Sequence, residues 1–465
     1  MSRSISKKII CLSLVLCVLL SPCGCGKKEN EIHSEGMKKV GSYNIEEKVE
    51  LTDESEKEEV LESFSSEDGL CVIDKYPTYY DITLDYEKGK PEEVGAAYAK
   101  VILQAMPQYG EFFEPYLYEN IRHAFGGRDI NYEALEARVT TLIASLPDEY
   151  RTEVESFAET LSNGEEGYVE NEKLSYIEVL TGQIIADALR PTACSALSLG
   201  GSKTKSGERI SLRNLEWNSG SEYQMTDIHA VVHMKKGDRS ITAISMLGIL
   251  DMITAINDDG VMIAILDVGS VEELPFVYEG KKCYTFEIRY ALENFSTAKE
   301  AGEFLVGESG DFTWCNNLLC SDARDAFCCE NATGEVAATG KAHSVLRTVD
   351  SELMEGLTWD DPDSLCIVNS FATKGNQDSF TVNEFNLTRF VKYNKWVSEK
   401  DKFSVADVKG LMAREVVDQY EVSNVHNSGT IHTVIVDYAT GNIHVSFTKG
   451  AYTEDIPEFL DVGKY

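Results

Sequence analysis

The chain reads as an α+β protein in which layers of antiparallel sheet are covered by helices, with a further helical segment in front. Three observations lead there. From Pro91 to about Leu189 apolar residues recur at three- and four-residue spacing. After Cys194 the period changes to short β-like runs separated by turn residues. Strands and helices that segregate in this way pack as sheet covered by helices.

The first 25 residues have a basic start, an apolar run from Ile9 to Leu20 and then small residues, the layout of a secretory signal. The run is too short to span a bilayer comfortably. Cys25 after Gly24 resembles a bacterial lipobox junction, with Cys23 after Leu20-Ser21-Pro22 as the alternative and an ordinary cleaved signal as the other reading. A lipidated Cys25 would make the protein an exported, cell-surface lipoprotein held to the membrane by acyl chains only. Residues 26–70 are rich in Lys, Glu and Ser with no sustained period, which predicts an acidic flexible tether.

Residues 71–193 are expected to form a helical N-terminal segment. PEEVGAAYAKVILQAM opens with Pro91 and two acids, as a helix start should, and YEALEARVTTLIASL and LSYIEVLTGQIIADAL keep the helical period. Residues 194–465 hold the hairpins: SALSL with RISLRNL, IHAVVHM with RSITAISML, MITAI with VMIAILDV across NDDG, and IHTVIVDYATGNIHVSF near the end. Two helices interrupt them around YTFEIRYALENFSTAKEAGEFL, where Thr297 and Glu300 have capping-box spacing, and another lies near SVADVKGLMAREV.

Composition excludes some functions. There are 43 Lys+Arg against 78 Asp+Glu, a net charge of −35, so a polyphosphate would be repelled and nucleic acid is a poor partner. Twelve cysteines include four in the signal and its junction (Cys11, Cys17, Cys23, Cys25). The other eight match no disulfide framework or zinc spacing, and no cofactor is implied. Cys328 and Cys329 are adjacent on a strand and so face opposite sides of it, as packing residues would. His229 and His233 share a face of one strand, but no third metal ligand lies nearby in the sequence.

Chemistry concentrates at Cys194, where the helical pattern stops and the first hairpin begins. Pairing of that hairpin returns Arg213 and Glu216 towards it. The two are three apart on a strand and face opposite sides, so bringing both to one site calls for a bulge or a strand end.

These residues resemble the cysteine N-terminal nucleophile (Ntn) amide hydrolases, including choloylglycine hydrolases, penicillin V acylases, acid ceramidase and isopenicillin N acyltransferases. ACSALSLGG followed by SLRNLEW is similar to their Cys, then Gly-Arg-Asn-hydrophobic-Asp, with Glu216 where Asp is usual. INDDGVMIAIL resembles their Met-Asn-Glu-x-Gly-Leu hairpin, and Asp267 falls at a position the family varies. VNSF resembles Thr-Asn-Ser-Pro at Asn369, NLTRF resembles Ser-x-Arg-Phe at Arg389, and CSDARDAFCCE overlays the family's Ser-Asp-x-x-Gly strand pair. The likeness runs from about Cys194 to Phe447.

The resemblance implies an Ntn-hydrolase four-layer αββα sandwich that cuts its own Ala193-Cys194 bond. The freed α-amino group of Cys194 is then the base and its thiol the nucleophile. Arg213 would stabilise the thiolate, Glu216 orient the new ammonium, Asn369 line the oxyanion hole and Arg389 fix the site from a neighbouring strand. Asp267 adds a negative charge near the thiol, which favours an amine-bearing substrate. The expected reaction is hydrolysis of linear C–N amide bonds in N-acylated small molecules. Acyl transfer on the same fold and a non-catalytic surface-binding lipoprotein are the alternatives.

Overall fold

Turn chemistry sets the strand order. Asn257 to Gly260 closes a tight hairpin in which Gly260 takes φ +82°, the left-handed region that favours glycine. Repeated along the chain, such hairpins put sequence neighbours side by side. The computed structural model describes residues 51–465 except 128, 163, 190–191, 270–273, 275, 377–383, 414–423 and 452–455, and the side chains of 192, 193 and 384. The expected signal segment 1–25, Cys25 and the tether as far as residue 50 lie outside the described residues.

The first elements are strands β1 (Glu62–Ser65), β2 (Cys71–Lys75) and β3 (Tyr80–Asp85). Helices α1 (Pro91–Ala105), α2 (Tyr109–Ala124), α3 (Tyr132–Ser145), α4 (Asp148–Leu161), α5 (Tyr176–Gln183) and α6 (Ile185–Leu189) come next. Then come β4 (Thr192–Leu199), β5 (Ile210–Trp217), α7 (Gln224–Asp227), β6 (His229–Lys236), β7 (Arg239–Met246), β8 (Thr254–Asn257) and β9 (Met262–Asp267). Helices α8 (Tyr284–Asn294) and α9 (Ala298–Glu308) lead to β10 (Asn316–Ser321), β11 (Ala326–Asn331), α10 (Gly334–Ala338), β12 (Val345–Arg347) and β13 (Ser364–Val368). The chain closes with α11 (Glu384–Ser398), α12 (Val405–Ala413), β14 (Thr430–Asp437), β15 (Asn442–Phe447) and β16 (Leu460–Lys464).

Two sheets result. One runs β1-β2-β3-β6-β7-β8-β9-β10-β11-β12, antiparallel except for the parallel pair β3 and β6. The other runs β13-β4-β5-β14-β15-β16, antiparallel throughout. They face each other, with β4 against β9, and bury Ala196, Leu215, Ala264, Leu266 and Val434 between them. Helices α1, α8 and α9 cover the outside of the larger sheet. Phe390, Tyr393, Trp396 and Val397 of α11 and Val408, Leu411 and Met412 of α12 cover the smaller one, against Leu197, Leu199, Ile210 and Leu212. The architecture is therefore a four-layer αββα sandwich.

The front of the chain departs from expectation. Residues 51–70 are folded rather than a tether. Lys409 of α12 donates to the carbonyls of Thr52 and Glu54 and to Ser55 Oγ, and β1 pairs with β2. A polar strap gives no apolar period, so charge patterning alone could not reveal it. Residues 71–193 are not wholly helical either, because β2 and β3 alternate buried and half-buried residues and extend the larger sheet. Nor do they stand apart, since Ile45–Tyr465 form one compact unit.

The helices of this segment are bound closely. An added Cβ on Gly95 of α1 would fall 2.3 Å from the Glu153 carbonyl, so only glycine permits the α1–α4 approach. Glu153 of α4, fully buried, pairs with Arg289 of α8 at 2.7 Å and also accepts from Tyr86 Oη. A stripped charge would otherwise be stranded on either side.

Candidate active site

The site lies where β4 begins. In the ladder Val368 of β13 stands opposite Ser195, so Asn369, one residue further, comes alongside Cys194. Cys194 itself stands opposite Leu215 of β5, and Ala193 opposite Glu216. Strand β4 starts at Thr192, two residues ahead of the cysteine, so the Ala193-Cys194 peptide is part of the strand.

Strand alternation sorts the side chains onto two faces. Cys194 and Arg213 point between the sheets, where Arg213 Nη2 donates to Cys194 Sγ at 3.3 Å and to the Ile265 carbonyl at 3.0 Å. Asn214 points the other way, donating to Ser195 Oγ and the Val425 carbonyl. Glu216 comes after Asn214 in alternation and meets helix α11, where Arg389 Nη1 donates to its Oε2 at 2.7 Å. The opposition of Arg213 and Glu216 is thus the design of the site, one serving the sulfur and the other the helix face. No bulge in β5 is needed; the slip in register lies in β14, between Thr430 and His432.

Asn369 ties the two faces together. Its Oδ1 accepts from the Cys194 main-chain N–H at 2.6 Å and from Arg389 Nη2 at 2.8 Å. Its Nδ2 donates to the Asp267 carbonyl at 2.6 Å. The partners fix the amide orientation, because a flipped amide would set NH2 against a guanidinium N–H. Arg389 Nη2 also donates to Asn386 Oδ1, one turn earlier on α11.

The structure thus gathers Cys194, Arg213, Glu216, Asn369 and Arg389. Asp267 joins them through its main-chain carbonyl, at the end of β9 opposite Asn316. Two expectations change. Arg389 sits on a helix, not a strand, because Phe390, Tyr393 and Val397 recur at helical spacing and bury one face. Asn369, expected in an oxyanion hole, holds the Cys194 nitrogen with its oxygen and spends one amide hydrogen on Asp267.

Electrostatics are finely opposed. Burial pushes the Cys194 thiol up; Arg213 pulls it down, Glu216 pushes it up, and the result lies above the ordinary value. Burial likewise raises Glu216 against the pull of Arg389 and Arg213. Glu216 Oε1 is buried with no hydrogen-bond partner among the described residues. A carboxylate oxygen so placed is an acceptor waiting for a donor.

Other candidates fall away from this cluster. His229 Nε2 lies 2.8 Å from the Thr448 carbonyl and His233 lies 3.5 Å from Asp81. Among the described residues no group of three or more His, Cys, Asp or Glu could hold a metal. Cys328 stands near Arg347 while Cys329 Sγ reaches the Gly302 carbonyl, so the pair do face opposite sides of β11. No helix among the described residues is long and apolar enough to cross a membrane. A small cleft lies at Val268, one residue past Asp267, lined by Phe276, Trp314, Cys315, Thr333 and Glu335 among others. Asn386 opens the NLTRF segment but has no counterpart in Ser-x-Arg-Phe; its i,i+3 spacing to Arg389 is a signal once the segment is taken as helix.

The fold and the cluster together define a class: an αββα sandwich with a buried cysteine whose nitrogen and sulfur each have a dedicated polar partner. Solved structures similar to the chain include proteins named as an acid amidase, a bile acid hydrolase and an acylase. A Caenorhabditis elegans N-acylethanolamine-hydrolyzing acid amidase ortholog is 11% identical over 53% of this chain and 93% of its own, with a TM-score of 0.36. A variant of the conjugated bile acid hydrolase from Clostridium perfringens is 12% identical over 58% and 97%, with a TM-score of 0.33. Penicillin V acylase from Agrobacterium tumefaciens is 12% identical over 58% and 86%, with a TM-score of 0.35. No family model and no curated protein matches the sequence.

Proposed function

We propose that the chain is a self-cleaving cysteine amide hydrolase acting on linear C–N bonds of N-acylated small molecules. One observation carries this reading: Cys194 N is held by Asn369 Oδ1 at 2.6 Å while its Sγ is held by Arg213 at 3.3 Å. A packing cysteine needs no guanidinium at its sulfur.

In maturation, Sγ attacks the Ala193 carbonyl carbon. The C–S bond forms, the C–N bond breaks, and the thiol proton passes to the departing nitrogen. Water then cleaves the thioester, leaving Ala193 as a carboxylate and Cys194 with thiol and α-amine. Glu216 Oε1, an acceptor without a partner, receives a hydrogen of the new ammonium. In turnover the amine takes the thiol proton, Sγ forms the acyl thioester and the substrate amine leaves with that proton. The second Nδ2 hydrogen of Asn369 and main-chain N–H groups face the oxyanion, a contribution of about 3 kcal/mol per donor. Arg213 offsets the developing sulfur charge, and Arg389 holds Glu216 and Asn369 in register through its planar fork. Water is the default acceptor, and an amine bound in its place would make the same thioester an acyl donor. Export and a lipidated Cys25 belong to the same proposal.

Intact mass spectrometry of protein purified from a bacterial membrane fraction tests it. Two chains are expected, the second starting at Cys194, the first carrying acyl mass at Cys25, and Cys194→Ala should stay uncut. A single uncut wild-type chain that still turns over amides would refute the mechanism. An uncut chain indifferent to Cys194→Ala would instead indicate a binding lipoprotein.

A further inference from the structure

We infer that Asn317 and Glu330 are positioning residues that aim Asn369 from the opposite sheet, an inference that rests on the role proposed for Asn369. The ladder between β13 and β4 ends at the Val368–Ser195 pair, and past it main-chain pairing is reduced to isolated bridges, Val368 with Ser370 and Leu353 with Thr373. Side chains from the opposite sheet reinforce the residues beyond Val368. Asn317 of β10 and Glu330 of β11 stand directly opposite each other, both fully buried.

Asn317 Nδ2 donates to the carbonyls of Val368 and Ser370, each at 2.9 Å. Those two carbonyls flank Asn369, so one amide group grips the backbone on both sides of it. Glu330 takes the next stretch. Its Oε1 accepts from Ala372 N at 2.8 Å and Thr373 N at 3.1 Å, and its Oε2 accepts from Asn376 Nδ2 at 2.9 Å. Arg347 balances the charge, with Nε 2.9 Å from Glu330 Oε1 and Nη2 2.9 Å from the Cys366 carbonyl. The segment from Cys366 to Asn376 is thereby clamped across the gap between the sheets.

Such a clamp is costly to build for packing alone. Asn317 Oδ1 is buried with no hydrogen-bond partner among the described residues, a cost accepted for an Nδ2 that satisfies two carbonyls. What an apolar side chain cannot do is set the direction of a peptide plane. Here the plane decides whether Asn369 Oδ1 meets the Cys194 nitrogen.

The test uses Asn317→Asp, which keeps shape and removes both donors, and Glu330→Gln as a second variant. Full-length chains made by cell-free synthesis are monitored by intact mass, and Cys194 in the cut protein is titrated with iodoacetamide, read by peptide mass. Self-cleavage in both variants should slow on the order of tenfold to a hundredfold, the scale of a misplaced reacting group. Alkylation of Cys194 should stay within about twofold of wild type, because Arg213 rather than Asn369 contacts the sulfur. Cleavage at the wild-type rate overturns the inference while leaving the proposed function standing. Equal changes in cleavage and alkylation overturn it in favour of general loosening. A wild-type chain that never cuts sinks both.

Discussion

Removing the guanidinium of Arg389 offers a quantitative test of how the site is held. Arg389 and Glu216 are 4% and 5% exposed and 2.7 Å apart, so the pair is stripped of water. Arg389→Met leaves Glu216 with no donor on either carboxylate oxygen, since Oε1 already lacks one. Breaking a buried pair on one side costs about 3–5 kcal/mol. Glu216 can escape part of this by taking a proton, because burial already raises it. A carboxyl raised above its unfolded value stabilises the fold below that value and loses the contribution as pH rises through the folded one. Arg389→Met should therefore cost more at pH 8 than at pH 5. The double variant Arg389→Met/Glu216→Gln, which strands no charge, should recover most of the loss. The assay is urea unfolding read by tryptophan fluorescence in a Cys194→Ala background, so that every variant is compared as one chain. Losses equal at the two pH values, or a double variant as unstable as the sum of the singles, would refute the coupling.

Buried charge elsewhere in the fold gives two further expected outcomes. Asp187 on α6 accepts from Tyr284 N, Thr285 Oγ1 and Thr313 Oγ1, and burial pushes its carboxyl up to about 7, with Asp251 and Cys283 as buried neighbours. At about 1.4 kcal/mol per pH unit the wild type should lose on the order of 3 kcal/mol between pH 5 and 8. Asp187→Asn should flatten that slope in thermal melts, and an unchanged slope would exclude Asp187 as its source. After cleavage the N-terminal chain should co-elute with the remainder on gel filtration even in 1 M salt, because the Glu153–Arg289 pair is buried and little screened. Arg289→Met, which strands Glu153, should release it, and co-elution unaltered by that change would show that apolar packing alone suffices.

The sequence by itself determined the periodic features. The hairpins β4–β5, β6–β7, β8–β9, β10–β11 and β14–β15 and the helices from Pro91 to Leu189 are legible because a buried face imposes its period on the residues that form it. Cys194, Arg213, Glu216, Asn369 and Arg389 are legible as types in order along the chain. Tertiary structure alone decided their roles in space. Only sheet pairing sets Asn369 beside the Cys194 nitrogen, and only the two faces of β5 divide Arg213 from Glu216. The parallel joining of β3 to β6 is hidden for a related reason, since Ile82 meets its partner Val232 only after the whole run of helices α1 to α6 and the hairpin β4–β5. Asn317 and Glu330 left no trace either. A side chain that grips another strand's carbonyls answers to atoms that chain pattern does not encode.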